Sequence, residues 1–120
     1  METREQVLGI CKALYDKKAL DIRALNVGDK TIIAEWFVVC SGRATTQVKT
    51  LCDEVENKAE ELGLRVIRKE GYSEGRWIVM DFGHVLVHIF HPEEREFYNM
   101  ERLWDDDPQK CINYSKEQGE

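Results

Sequence analysis

The sequence predicts a single α+β or α/β domain with a five-stranded mixed β-sheet flanked by helices. Apolar residues recur at helical spacing in two long segments, and strand-like apolar runs lie between and after them. The length of 120 residues suits one domain that buries a single core without disulfides. We therefore infer the element order α-β-β-α-β-β-β-α, with helices packed on a mixed sheet.

The first half of the chain accounts for two helices and two strands. Helical spacing of apolar residues predicts helices over residues 3–18 and 46–62. Alternation over residues 19–27 predicts a strand at the edge of the sheet. Residues 31–40 hold a nearly continuous apolar run, which indicates a central strand that is buried on both faces.

The second half accounts for three strands and a short helix. Residues 64–70 predict a third strand, and residues 77–81 and 85–90 predict two more that form a hairpin. Pro92 is followed by glutamates, which is typical of the first turn of a helix. This pattern predicts a short helix that ends at residue 98 or 99.

The domain is expected to span residues 1–107. Residues 108–120 are polar, with Cys111, Ile112 and Tyr114 as the residues able to anchor them. Terminal segments of this kind are commonly poorly ordered, so we expect a mobile tail.

Composition and charge disfavour several classes of function. The net charge of −6 argues against nonspecific nucleic-acid binding, which depends on basic side chains, and suits a basic protein partner. No apolar run approaches the roughly 20 residues of a membrane helix, and the N-terminus lacks the apolar stretch of a secretion signal. A cytoplasmic location is therefore expected by default. The four cysteines form no C-x-x-C pair, which disfavours zinc and redox sites.

Three histidines raise the question of a metal site. His84 and His88 flank a predicted strand, so roughly 13 Å separates them, too far for two ligands at about 2 Å from one ion. His91 falls on the opposite pleat or beyond the end of the strand. We therefore assign no metal site. The triplet Asp81-Phe82-Gly83 copies a kinase motif, but the chain lacks the other kinase motifs, and a hairpin explains it.

The loop Ser41-Gly42-Arg43 is the strongest enzymatic candidate. Backbone N–H groups at the start of a helix can hold a phosphate, and nucleotidyltransferases use such a loop. Phosphoryl transfer also needs paired carboxylates for magnesium, and the strands after the second helix supply one, Asp81. Asp105 and Asp107 have the spacing but lie in an irregular acidic run. We favour a simple helix-capping loop. A divergent nucleotidyltransferase-like enzyme or nucleotide-binding protein stays the alternative.

The predicted hairpin has one mixed face and one uniformly apolar face. The mixed face holds Trp77, Val79, Asp81, His84, Leu86 and His88. A tryptophan ringed by polar groups suits a binding patch, although helices over both faces would make Trp77 a core residue.

An acidic segment with embedded aromatic residues follows the hairpin. Residues 91–107 hold seven carboxylates against two arginines, with Tyr98, Leu103 and Trp104 interleaved. This mixture resembles a docking surface for a basic protein, and a solvated helix face is the competing interpretation.

Several segments together resemble the ribosomal silencing factor family, also called Iojap-like. They are residues 21–27, 39–43, 70–71, 76–83, 87–90 and 95–104. The resemblance covers about residues 3–107. Its motifs are specific in combination, because a G-x-W-(apolar)-D-x-G-type hairpin, V-H-(apolar)-F and a terminal L-W must occur in that order.

The resemblance implies a non-enzymatic translational repressor. Family members bind the large ribosomal subunit through its fourteenth ribosomal protein and block the small subunit from joining, which dampens protein synthesis when nutrients are scarce. The resemblance also implies a nucleotidyltransferase-like core without catalytic carboxylates, self-association as a homodimer, and peripheral proximity to ribosomal RNA near Arg43 and Lys49. It implies no cofactor, catalytic residue, membrane contact or small-molecule substrate.

By matching position, the resemblance implies a set of residues that contact the partner. The first group lies on the hairpin and the helix after it: Trp77, Asp81, His88 and Tyr98. Nearby candidates are Glu70, Gly71, Glu101, Leu103 and Trp104.

Overall fold

The sheet of the computed structural model has six strands in the order β3-β4-β5-β2-β1-β6. The structure describes residues 2–98 and 110–118. The strands are β1 (Leu20–Asn26), β2 (Trp36–Ser41), β3 (Arg68–Glu70), β4 (Trp77–Asp81), β5 (Val85–Phe90) and β6 (Cys111–Asn113). The helices are α1 (Thr3–Asp16), α2 (Thr45–Glu61), α3 (Pro92–Tyr98) and α4 (Tyr114–Glu117). β2 and β5 are parallel, and the other described neighbours are antiparallel, so the predicted mixed sheet is confirmed.

The long helices α1 and α2 cover one face of the sheet. Their apolar stripes bury against the face of the hairpin that was predicted to be core. That face is fully buried: Ile78, Met80, Val85, Val87 and Ile89. Each fully buried aliphatic side chain of this size contributes about 1.5–3 kcal/mol relative to exposure, so this helix-covered layer is the main core.

A second, smaller apolar cluster lies on the other face of the sheet. It is built from Leu25, Val27, Phe37, Val39 and Phe90, with Trp77 and Leu86 partly buried against it. Every residue of β2 is buried, which confirms the prediction that this strand is central.

The predicted strand count of five is wrong by one, because residues 111–113 form β6. β6 pairs antiparallel with β1, and Ile112 and Tyr114 pack against the helix-covered core. Ser115 Oγ also accepts a hydrogen bond of 2.9 Å from the backbone N–H of Ile22. Residues 110–118 therefore pack on the sheet rather than trail from it. The predicted boundary at residue 107 lies outside the described residues.

Two predictions about the first strands also need correction. β1 lies between β2 and β6, so it is not at the edge of the sheet. β2 begins at Trp36, and Ile32 and Ile33 are exposed in the preceding loop. The N–H groups of Lys30 and Thr31 donate to the carbonyl of Val27, and these local bonds replace strand pairing.

The predicted strand over residues 64–70 is shorter in the structure. Leu64 lies beyond α2 but donates its N–H to the carbonyl of Ala59, so it takes part in the C-terminal cap of that helix and not in a strand. Pairing with β4 as a strand begins at Arg68. Among residues 2–98 and 110–118, no helix is both long and apolar enough to cross a bilayer.

Candidate functional site

The β4–β5 hairpin presents most of the mixed face that the sequence predicts, but His84 precedes β5 and Phe90 lies on this face instead. Trp77 lies opposite Phe90, Val79 opposite His88, and Asp81 opposite Leu86. Residues opposite one another in an antiparallel pair point to the same side of the sheet. These six side chains therefore share the face that α1 and α2 leave uncovered.

The indole ring of Trp77 is held by three aromatic neighbours. It stacks on Phe90 with ring centroids 5.1 Å apart and lies 4.7 Å from the ring centroid of Tyr98. Its Nε1–H donates to Nδ1 of His88 over 3.3 Å. Phe37 lies 5.1 Å from the imidazole in an edge-to-face arrangement. We call Phe37, Trp77, His88, Phe90 and Tyr98 the aromatic cluster.

His88 lies beneath the surface of the aromatic cluster. Only 5% of the residue is exposed. Burial lowers the pKa of His88 from 6.5 to about 4, so the imidazole is neutral at pH 7. Nδ1 accepts the bond from Trp77, which places the proton of the neutral ring on Nε2. Within the described part of the chain, Nε2 has no hydrogen-bond partner.

The short helix α3 is anchored to the sheet by a buried arginine. Arg95 is 8% exposed and donates from Nη1 to Ser41 Oγ (3.0 Å) and from Nη2 to the carbonyl of Asp21 (2.9 Å). Nη2 also pairs with the Asp21 carboxylate at 3.2 Å. Asp21 reaches this position from a bulge in β1, where its φ is +45°. The interaction joins α3 to the first two strands.

A second arginine fixes the start of α3. Arg76 precedes β4 and pairs with Glu94 at 2.6 Å and with Glu93 at 3.0 Å. The carbonyl of Arg76 also accepts the N–H of His91 over 2.8 Å. With this helix held at its first turn and at its middle, Tyr98 is placed against Trp77.

The same helix exposes two adjacent aromatic rings. Phe97 is 81% exposed and Tyr98 is 46% exposed. Tyr98 was predicted to contact the partner, whereas Phe97 was not singled out. No pattern in the sequence marks Phe97 as exposed, because the buried residue of α3 is Arg95 and an aromatic side chain would ordinarily be expected to take that place.

The remaining predicted residues lie apart from the aromatic cluster or shape its backbone. Asp81 lies four residues along β4 from Trp77, about 13 Å away, and its Oδ1 accepts the N–H of Gly83 in the hairpin turn. Glu70 pairs with Val79 at the exposed edge of the sheet. Glu101, Leu103 and Trp104 lie outside the described residues.

Gly71 has a structural requirement that no other residue type meets. Its φ is +84°, and a Cβ at this position would lie 2.1 Å from the carbonyl oxygen of Trp77. The absence of a side chain lets the loop after β3 approach the start of β4 closely. Gly71 thereby helps to set where the backbone of Trp77 lies.

The acidic segment is partly neutralised where it is described. Glu93 and Glu94 share Arg76, while Glu96 is exposed. Acidic residues 101–107 lie outside the described part of the chain. The net charge of −6 belongs to the whole chain, so an acidic docking surface stays a prediction.

Polar groups of the Ser41-Gly42-Arg43 loop are bonded to other parts of the protein. Ser41 Oγ accepts from Arg95, and Gly42 N–H donates to the carbonyl of Phe90 over 2.9 Å. Arg43 N–H donates to Gln47 Oε1 over 2.6 Å. α2 begins after Ala44 without a side-chain cap, so the predicted serine or threonine cap is wrong.

The histidine and cysteine side chains that the structure describes do not form a shared site. His84 is exposed, whereas His88 is buried, and Nδ1 of His91 accepts the N–H of Glu93. Burial raises the pKa of the Cys40 thiol to about 12, so this side chain is protonated at pH 7. Within residues 2–98 and 110–118, no three His, Cys, Asp or Glu side chains gather as metal ligands would.

Comparison with known proteins identifies the family. The model of the family described as "Ribosomal silencing factor during starvation" matches residues 1–120. This chain belongs to the ribosomal silencing factor family. A family member from Bacillus subtilis (strain 168), named ribosomal silencing factor RsfS, is 39% identical over 106 residues, which cover 88% of this chain and 90% of the relative. A relative of the same name from Halalkalibacterium halodurans is 40% identical over 108 residues, which cover 90% of this chain and 92% of the relative.

The fold is shared with a solved structure as well. A crystal structure of a Chromobacterium violaceum protein aligns with a TM-score of 0.84 and 34% identity, covering 89% of each chain. The resemblance to the ribosomal silencing factor family that the sequence motifs indicate is therefore confirmed over nearly the whole chain.

Proposed function

We propose that this protein silences translation by binding the large ribosomal subunit and preventing the small subunit from joining. Its docking partner in this proposal is the fourteenth ribosomal protein of the large subunit. Family membership supports a regulatory role at the ribosome. The observation that carries the proposal is the aromatic cluster, which brings Trp77 and Tyr98 together at the surface.

The aromatic cluster has the properties of an interface anchor. Large aromatic side chains at the centre of an interface supply much of its binding energy, especially when neighbouring packing holds them in place. Phe97 is 81% exposed and its ring lies next to that of Tyr98, which extends the aromatic surface. Rigid support from β4, β5 and α3 limits the conformational entropy lost on binding.

In this proposal the protein silences translation by steric obstruction of subunit joining and catalyses no reaction. The protein measures 33 × 30 × 29 Å. A folded body of that size, held at the interface between two large particles, prevents their surfaces from meeting. Its net charge of −6 favours a basic protein surface over ribosomal RNA, which we propose lies only at the periphery of the contact.

The test measures binding and subunit joining separately. Purified protein is sedimented with large subunits, and small subunits are then added to record the rate at which couples form. We expect co-sedimentation and a marked reduction in couples. Couples that form at their normal rate in a large excess of the protein contradict the proposal.

A pair of aromatic truncations locates the contact surface. Trp77→Ala should weaken large-subunit binding by more than about 2 kcal/mol, roughly 30-fold. Tyr72→Ala is the matched control, because Tyr72 packs on the opposite, helix-covered side and bonds to Asp53 of α2. Circular dichroism and thermal unfolding check that both variants fold. Equal binding by the two variants would place the contact elsewhere.

A further inference from the structure

His88 is a buried member of the aromatic cluster, and it holds Trp77 by a directional hydrogen bond. The indole Nε1–H donates to its Nδ1 at 3.3 Å, and the imidazole is only 5% exposed. We propose that His88 is a positioning residue, which orients the Trp77 ring for the ribosomal partner without touching that partner. This inference rests on the proposed function and assigns His88 a role different from that of a contact residue.

The polar atoms of His88 show what the imidazole contributes. Its Nε2 is buried and has no hydrogen-bond partner among the described residues, so none of the contacts described there depends on this atom. A phenylalanine ring would fill similar space against Phe37 and Phe90 without leaving a polar atom unpaired. What phenylalanine lacks is the acceptor Nδ1. The useful atom of His88 is therefore the one that receives the bond from Trp77.

Ring packing alone does not set the orientation of the indole. Phe90 stacks on Trp77 at an interplanar angle of 25°, and the ring of Tyr98 lies tilted against it at 42°. Aromatic contacts of this kind are compatible with more than one ring orientation. A hydrogen bond is directional. The bond to His88 therefore selects the edge of the indole that points inward and, with it, the edge that points to solvent. A ring oriented before binding loses less conformational entropy at the interface.

Two substitutions separate positioning from packing because the two roles predict opposite orders of binding. His88→Phe keeps a ring of similar size but removes the acceptor. His88→Asn is smaller, but its side-chain oxygen lies close to the place of Nδ1 and accepts a hydrogen bond. Positioning predicts that His88→Asn binds large subunits within about 3-fold of wild type and that His88→Phe binds about 10-fold more weakly. If His88→Phe binds like wild type and His88→Asn is the weaker variant, His88 acts by packing and the inference is wrong.

A measurement on the free protein is independent of the ribosome. The indole N–H signal of Trp77 is observed by NMR and assigned by its loss in Trp77→Phe. In wild type and His88→Asn it should lie downfield and exchange slowly with solvent, whereas in His88→Phe it should move upfield and exchange faster. An unchanged Trp77 signal in His88→Phe overturns the inference.

A double-substitution cycle completes the test. In the Trp77→Phe background no indole N–H exists, so adding His88→Phe should change large-subunit binding by less than about 2-fold. A further 10-fold loss in that background would show that His88 acts independently of Trp77 and would overturn the inference. If wild type fails to bind large subunits, the proposed function fails and so does the role of His88 in binding. The NMR comparison then still reports whether His88 orients Trp77.

Discussion

Lowering the pH from 7 towards 4 should destabilise this protein through the single buried imidazole of His88. Burial lowers the pKa of His88 in the folded state to about 4, against 6.5 for the ordinary side chain. Below pH 6.5 the unfolded chain therefore takes up a proton that the folded protein does not. Since protonation then favours the unfolded state, stability from this group is fully present above pH 6.5 and is lost as the pH falls towards 4.

The size of the effect follows from the two pKa values. Each pH unit between 6.5 and about 4 removes about 1.4 kcal/mol of unfolding free energy, so the total loss is about 3 kcal/mol. A loss of this size is a substantial part of the stability of a typical small domain. Other groups titrate over the same pH range, so the contribution of His88 is measured against a variant that lacks the imidazole.

The assay is urea unfolding of wild type and His88→Phe at half-unit steps from pH 7.5 to 4.5. Carboxylates titrate in both proteins. Subtracting the unfolding free energy of His88→Phe from that of wild type therefore cancels most of the carboxylate contribution. The difference should be constant above pH 7 and should shift against wild type by about 2 kcal/mol by pH 5. A difference that stays flat over this range would refute the buried, neutral imidazole on which the reasoning depends.

Three further predictions concern the supports of the aromatic cluster and the electrostatics of binding. Arg95→Lys keeps the charge but loses the forked contact with Ser41 and Asp21, so thermal or urea unfolding should show a loss of about 2 kcal/mol; an unchanged midpoint would mean that this contact does not hold α3. Gly71→Ala meets the carbonyl of Trp77 and should cost about 2 kcal/mol or more, whereas Gly63→Ala, with φ of +76° and nothing within 4 Å, serves as the control and should cost about 1 kcal/mol. Equal losses in these two glycine variants would argue against the close approach. Raising salt should slow association with large subunits more than it speeds dissociation, as stopped-flow mixing can record, and a salt-insensitive association rate would remove the electrostatic part of the proposal.

The β4–β5 hairpin shows how far pattern alone carries a prediction. Both strands have the predicted bounds, and the predicted faces are confirmed except that Phe90 and not His84 completes the mixed face. Alternation with a period of two specifies strand type and facing at once, since a shift by one residue would turn every apolar side chain outward. The continuous apolar run of β2 indicates burial on both faces in the same way, and its burial is confirmed.

β6 was missed because three residues carry too little pattern to identify a strand. Cys111–Asn113 becomes a strand because β1 offers it an edge with which to pair. The bond that closes the bulge in β1 joins Ile22 to Ser115, 93 positions apart in the chain. Ile32 and Ile33 were predicted to lie in a strand but do not, because the turn that precedes them overrides their strand-like composition.

In the candidate site, too, some features were predicted from the sequence and others are shown only by the structure. Pattern and family resemblance identified Trp77, His88 and Tyr98, and the structure brings these three together. Their depth differs, since His88 is 5% exposed and Tyr98 is 46% exposed. A period-two pattern specifies which face a side chain occupies but not how deeply its neighbours cover it.

The order of side chains along this chain was enough to specify most helices, the central strand, the hairpin and the family. The helices and strands depend on residues that are close in the sequence, where spacing alone separates helix from strand. The family is indicated by the order of short motifs along the chain. The sixth strand, the anchoring of α3 by Arg95 and the bond between His88 and Trp77 required the assembled protein. Each of them joins segments that meet only after the sheet has formed, so their geometry is set by packing between distant parts of the chain.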